Sequence, residues 1–158
     1  MRKPRSAARE LALNILYQWD CAGVPFEEAL ETAIEFVDLG GPEEKSSDRG
    51  REALDNARTL AVGAREHLDE LDGYIAELAH GWPLDRQPAV DRNILRMAIY
   101  EIRNVDSVPP VVAVDEAVEM AKKFSTPESG KFVNGVLAGY LKKYAQQSEE
   151  GSSAGEDS

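Results

Sequence analysis

The chain has 158 residues, a net charge of −11 and a single cysteine, Cys21. That length suits one domain, or two small subdomains, with a real apolar core. The charge argues against nonspecific nucleic-acid binding. No apolar run is long enough for a membrane span or a signal-peptide core, and a lone cysteine points to a reducing, cytoplasmic setting.

Alanine, leucine, glutamate and arginine are abundant, aromatics are few and no long run alternates with period two. These features predict an all-α fold of about seven helices. The first spans 5–22, with Ala8, Leu11, Ala12, Ile15, Leu16 and Trp19 buried. Arg2, Lys3, Arg5 and Arg9 crowd its start, where cations oppose the helix dipole at a cost of a few tenths of a kcal/mol each. Such residues are poor choices for helix stability alone, which tilts the reading toward a phosphate-bearing ligand. Arg2 and Lys3 precede Pro4 and are expected on a mobile arm. Tyr17 lies off the buried stripe and suits either rim packing or stacking on a base.

Gly23-Val24-Pro25 breaks the chain. The second helix, 26–38, turns Phe26, Ala29, Leu30, Ala33, Ile34 and Val37 inward and shows solvent an acidic face. Residues 20–44 hold eight acids and no basic residue. Leu39 to Asp48 reads as a mobile loop rich in glycine, proline and serine. Helices over 49–67 and 68–80 follow, the latter begun by Asp69 or Asp72 and ended by Gly81. His67 and His80 lack a cysteine partner or ligand spacing, so no metal site is expected. Trp82, in a stiff connector, is expected to pin that loop to the core.

The stretch from Ala89 to Arg103 organises the chain. Its apolar residues at 90, 94, 95, 98, 99 and 102 form one helical face. At about 100° per residue, Arg92, Arg96 and Arg103 fall in a stripe beside it. Those arginines admit two readings, a solvated flank paired with nearby carboxylates or an anion-recognition edge. The sixth helix turns Val111, Val114, Ala117, Val118, Ala121 and Phe124 inward. Its acids lie early and Lys122 and Lys123 late, an order the helix dipole explains without a ligand. Ser125-Thr126-Pro127-Glu128 has a capping-box pattern before a last helix over 128–145. Within it, Gly135 and Gly139 are expected to allow close helix packing. Residues 146–158 add four acids and no base, and are expected to stay disordered. No phosphate loop, catalytic triad or metal spacing is present, so no cofactor and no enzymatic activity are expected.

Four segments together resemble the NusB family of bacterial transcription antitermination factors. They are Ala8-Arg9-Glu10-Leu11-Ala12-Leu13-Asn14-Ile15-Leu16-Tyr17; Val90-Asp91-Arg92 through Ile94-Leu95-Arg96 to Tyr100-Glu101; Val108-Pro109 with Val112-Ala113-Val114-Asp115-Glu116-Ala117 and Ala121-Lys122; and Lys131-Phe132-Val133-Asn134-Gly135-Val136-Leu137. They lie in the family's order over about 5–144. The resemblance implies two small helical bundles, here about 5–67 and 68–145. It implies a non-enzymatic protein that binds the single-stranded boxA element of nascent ribosomal RNA leaders jointly with ribosomal protein NusE, in the RNA polymerase antitermination complex. The RNA surface it implies takes in Arg5, Arg9, Tyr17, Asp91, Arg92, Arg96, Lys131 and Phe132. The NusE surface is expected around helices four to six, with no residues assigned. A fused version ahead of an RNA cytosine methyltransferase is not expected in a chain of this length. Ser6 and Ala7 stand where relatives often carry more arginines, which leaves open a protein-only module that binds NusE without specific RNA binding.

Overall fold

The structure, a computed structural model, describes residues 4–39 and 41–145. The N-terminal arm with Arg2 and Lys3, and the acidic tail 146–158, lie outside the described residues. The eight α-helices are α1 (Pro4–Asp20), α2 (Phe26–Phe36), α3 (Pro42–Ser46), α4 (Asp48–Glu66), α5 (Leu68–Leu78), α6 (Ala89–Asn104), α7 (Pro110–Phe124) and α8 (Pro127–Tyr140). A 3-10 turn at Leu84–Arg86 precedes α6, and a π-helical turn at Leu141–Ala145 follows α8. There is no strand among the described residues, and no helix long and apolar enough to cross a membrane.

The organising stretch is the hub. Helix α6 packs against α1, α4, α5, α7 and α8, while α1 also lies along α4 and α2, and α7 pairs with α8. Ile94, Leu95 and Ile99 are completely buried, and a continuous apolar cluster runs from Ala8 to Tyr140. The predicted apolar face of α6 is present, but the helix is buried on more sides than that face. Asp91, Asn93, Arg96 and Glu101 are buried with it. Before its exposed end at Arg103 and Asn104, a helix surrounded by neighbours has little solvated flank, so the polar residues there must find partners inside.

Several expectations change. The 39–48 segment contains α3, which starts with Pro42 at its first position and whose Lys45 ammonium donates to the Glu35 carbonyl in the last turn of α2. A cation there complements the dipole of α2 and satisfies an open carbonyl. In α7 the buried arc centres on Ala113, Ala117 and Ala121, with Val114 and Met120 beside them. Val111 lies about 120° from that centre and is exposed, and Phe124, in the last turn, is also exposed. The cap of α8 is Thr126, not Ser125: its hydroxyl accepts from the Ser129 amide at 3.0 Å. The α-helix ends at Tyr140, and the π turn is tied down where Lys143 and Tyr144 both donate to Glu77 of α5. His67, rather than an aspartate, stands before α5.

The glycines that close packing requires are Gly50, where an added Cβ would sit 1.7 Å from the Glu44 carbonyl oxygen, and Gly63, where it would sit 2.1 Å from the Tyr100 ring. An added Cβ at Gly135 would meet nothing within 4 Å, and at Gly139 only ordinary contact with Leu78. Gly81 takes a positive φ of 75° just past α5, which supports its predicted role in ending that helix. Trp82 pins its connector as expected, with its ring edge-on to Phe132 at 4.4 Å between centroids.

Candidate nucleic-acid interface

The arginines that the sequence marks most strongly are engaged inside the protein. Asp20, the last residue of α1, has one carboxylate oxygen that accepts three donors from α6. These are Arg92 Nε at 2.6 Å, Asn93 Nδ2 at 2.9 Å and Arg96 Nη1 at 3.0 Å. Arg96 also forms a two-pronged pair with Asp72 of α5, at 2.7 and 2.9 Å. Arg92 reaches the Leu84 carbonyl at 3.2 Å in the turn before α6. One network therefore ties α1, α5 and α6 together, and the planar guanidinium of Arg96 suits that two-sided geometry. Burial of Asp20 opposes its ionisation. The hydrogen bonds from Arg92 and Asn93 and the charges of both arginines together outweigh this, and hold its carboxyl below the ordinary range.

Arg9 is likewise buried. Its Nε donates to Glu101 of α6 at 2.9 Å, and Nη1 lies 3.9 Å from Glu116 of α7. Asp91 has no exposed surface and accepts from the Ser129 hydroxyl at 2.7 Å, which couples α6 to the cap of α8. Arg103 completes the predicted stripe by donating to the Tyr140 hydroxyl at 2.9 Å and pairing with Glu70 at 2.9 Å. The paired reading of the α6 arginines thus describes their geometry, but Arg92 and Arg96 are paired in the interior rather than on a solvated flank. Removing one partner of such a buried pair leaves an uncompensated charge at about 3–5 kcal/mol.

The remaining predicted residues are more accessible. Tyr17 stands on the outer face of α1, and its hydroxyl pKa is raised by a hydrogen bond and charge interaction with Cys21, so the ring is neutral. Lys131 is exposed near the start of α8, and Phe132 is half-buried against Trp82. Arg5 is half-buried and donates to Ser107 at 2.9 Å, in the loop between α6 and α7. It projects about 120° round α1 from Tyr17, so the structure separates the two.

Lys122 and Lys123 join the accessible set. Lys123 reaches Glu10 on the outer side of α1 at 2.6 Å, two turns before Tyr17 on the same face. A groove between α1 and α7 carries Lys122 and Lys123 among the carboxylates Glu10, Glu116 and Glu119, with Ser6 and Met120. Lys122 lies against Gly130, next to Lys131. The outer face of α1, the end of α7 and the start of α8 therefore form one edge, with Tyr17, Lys122, Lys123 and Lys131 along it. The lysine side chains at 122 and 123 are 54% and 57% exposed; Lys122 holds the exposed Glu119 in a surface pair worth about 0–1 kcal/mol, and Lys123 reaches the largely covered Glu10 with its ammonium still open to solvent. Phosphates can replace carboxylates there. Phe124, exposed with Lys123 Nζ 5.1 Å from its ring centroid, adds an aromatic face. The dipole-friendly order of α7 hides these lysines. The signal that marks them is basic residues beside an aromatic, Lys122-Lys123-Phe124.

These features define a class: an all-helical module, locked internally by arginine–carboxylate pairs, that presents a small cationic and aromatic edge. Within that class the chain belongs to the NusB family, whose model matches residues 6–142. It is 45% identical over 138 residues to the transcription antitermination protein NusB of Symbiobacterium thermophilum, covering 87% of this chain and 89% of that one. Its fold is similar to a T. maritima NusB structure, with a TM-score of 0.76 and 34% identity over 92% of this chain and 95% of the other. It is also similar to a chain of a crystal structure of antitermination factors NusB and NusE in complex with double-stranded RNA. That TM-score is 0.75, with 30% identity over 91% of this chain and all of the other.

Proposed function

We propose that this chain is a non-catalytic, cytoplasmic transcription antitermination factor. It binds the boxA element of nascent ribosomal RNA leaders together with ribosomal protein NusE and keeps RNA polymerase transcribing ribosomal RNA operons. Family membership supports this reading, as does the solved complex of a NusB with NusE and RNA. The observation that carries it is the edge formed by Tyr17, Lys122, Lys123 and Lys131, where the Lys122 and Lys123 side chains are more than half exposed. In this reading the lysines grip phosphates and Tyr17 stacks on an unpaired base. Arg9, Asp91, Arg92 and Arg96 act by holding α1, α6 and α8 in register, Phe132 steadies the start of α8 through Trp82, and Arg5 meets RNA only at the periphery. The acidic total makes binding by this chain alone weak, and a basic partner extends the patch.

The test is fluorescence anisotropy with a short labelled boxA-like RNA, using this protein, NusE and their mixture at two salt concentrations. Scrambled single-stranded and duplex RNAs serve as controls. Tight binding that depends on sequence and on the mixture supports the proposal. Replacing Lys122 and Lys123 with alanine then lowers the salt slope by about one for each lysine removed. The engagement of Arg9 by Glu101 favours a second reading, a protein-only module that binds NusE. A stable mixture with no preference for boxA establishes that reading instead.

A further inference from the structure

The groove between α1 and α2 plays no part in the function proposed above. It encloses about 550 Å³, with Ala7 and Leu11 on one wall and Ala29 and Ala33 on the other. Phe36 stands at its end with 75% of its surface exposed, the most open of the large hydrophobic side chains described. Glu10, Glu28 and Asp38 line the rim, and Glu27, Glu31 and Glu35 are exposed on α2 beside it. Glu10 is held by Lys123 and Lys45 stands at the far end of α2, but the run 20–44 itself, which carries the α2 glutamates, has no basic residue.

Asn14, Gln18 and Thr32 also line the groove, so its walls are mixed, with apolar side chains between polar ones. With an open aromatic at its end, it suits the apolar stripe of an amphipathic helix flanked by polar groups. The charge decides which kind. RNA is repelled by a rim of carboxylates. A second copy docking face to face brings the same acidic surface against itself, since a twofold interface pairs each patch with its own image. A helix with lysines or arginines on both flanks meets neither obstacle, and like-charge competitors are rejected by the same rim. We propose that the α1–α2 groove docks a basic amphipathic helix of a partner protein, its apolar stripe over Phe36 and Leu11 and its cations against the glutamates of α2. The groove adjoins the α1–α7 edge through Glu10, which lines both, so such a partner would place positive charge next to the lysine edge.

The probe is a synthetic helical peptide with leucines at i, i+3, i+4 and i+7 and lysines on both flanks. Two controls accompany it: the same composition scrambled, and the same stripe flanked by glutamates. Amide chemical shifts of the full chain are followed by NMR. The expected result is saturable perturbation centred on Leu11, Ala29 and Phe36 by the first peptide alone. Phe36→Ser, and separately Glu28→Lys with Glu31→Lys, should each weaken it roughly tenfold while leaving the helical circular dichroism unchanged. Three results overturn the proposal. One is no saturable binding, one is equal binding by the scrambled peptide or by the variants, and one is shifts centred elsewhere. Loss of a dimer on Phe36→Ser in sedimentation overturns it too, because a second copy then fills the groove.

Discussion

Arg96 and Lys123 are both cations that reach a carboxylate on another helix, yet they live in opposite regions of the molecule. The Arg96 side chain is 7% exposed and fills both ends of its guanidinium with Asp20 and Asp72. The Lys123 side chain is 57% exposed and holds Glu10 by one ammonium contact. The first arrangement binds three helices and spends four of the five N–H donors of Arg96 inside the protein. The second leaves its ammonium open to solvent, even though Glu10 is only 16% exposed, and the cation is therefore suited to a second partner. Positive charge in a helix thus says little about ligand binding until its burial and its partners are known.

The sharpest way to break this comparison is to remove the arginines. Arg96→Ala strands Asp72 and leaves Asp20 with Arg92 and Asn93 alone, and should cost about 3 kcal/mol, the low end for a broken buried pair because Asp72 keeps some solvent. Urea denaturation reads it directly, and a loss below about 1 kcal/mol would place Arg96 with the surface pairs. Arg96→Lys should recover only part of the loss, since an ammonium cannot hold both carboxylates in fork geometry. Arg9→Ala should cost at least as much as Arg96→Ala, about 3–5 kcal/mol, by leaving Glu101, whose side chain is 4% exposed, buried without its partner. The double change Arg9→Ala with Glu101→Gln should then cost less than the two single changes added together. Any fall in RNA binding by Arg9→Ala must be measured where the variant is still folded.

Acid titration sharpens the same contrast on the carboxylate side. The Asp20 pKa is lowered in the folded state, so its stabilising contribution is fully present above the unfolded aspartate value of about 3.9. It is lost as pH falls through the lower folded value. Asp20→Asn should therefore be less stable than the parent at neutral pH, and the gap should narrow as the solution is acidified below about pH 4. A gap that stays constant with pH would mean that the ionised carboxylate is not what Arg92 and Arg96 require.

The architecture is legible in the sequence because apolar periodicity reports burial: Ile94, Leu95 and Ile99 mark α6 as a core helix, and the structure makes it the hub. The short helix α3 is not, since proline, glutamate and serine suit a helix start as well as a loop, and its docking through Lys45 depends on tertiary context. The stripe of Arg92, Arg96 and Arg103 is legible as geometry, but its partners Asp20, Asp72 and Glu70 lie on other helices, and no local pattern reveals that they converge. Val111 and Phe124 mislead for a related reason. Helical spacing assigns a side chain a direction, but whether a neighbour covers the end of the helix is a property of packing. Tyr17 and Lys131 are marked by resemblance and are indeed accessible. Lys122 and Lys123 escape notice because the dipole already accounts for them.

The smallest expected stability change belongs to Lys131, and it is the most informative about the edge. It is exposed near the start of α8, beside Lys122 packed on Gly130. A cation near a helix N-terminus opposes the dipole, so Lys131→Ala should leave stability within about 0.5 kcal/mol of the parent, or raise it slightly. If the edge binds RNA, the same change should lower affinity for every RNA sequence alike and reduce the salt slope by about one. A residue that is neutral or slightly unfavourable for the fold but matters for binding is serving the ligand. Equal affinity and slope in the Lys131→Ala protein would remove the start of α8 from the interface, and leave Tyr17 and the end of α7 to carry it.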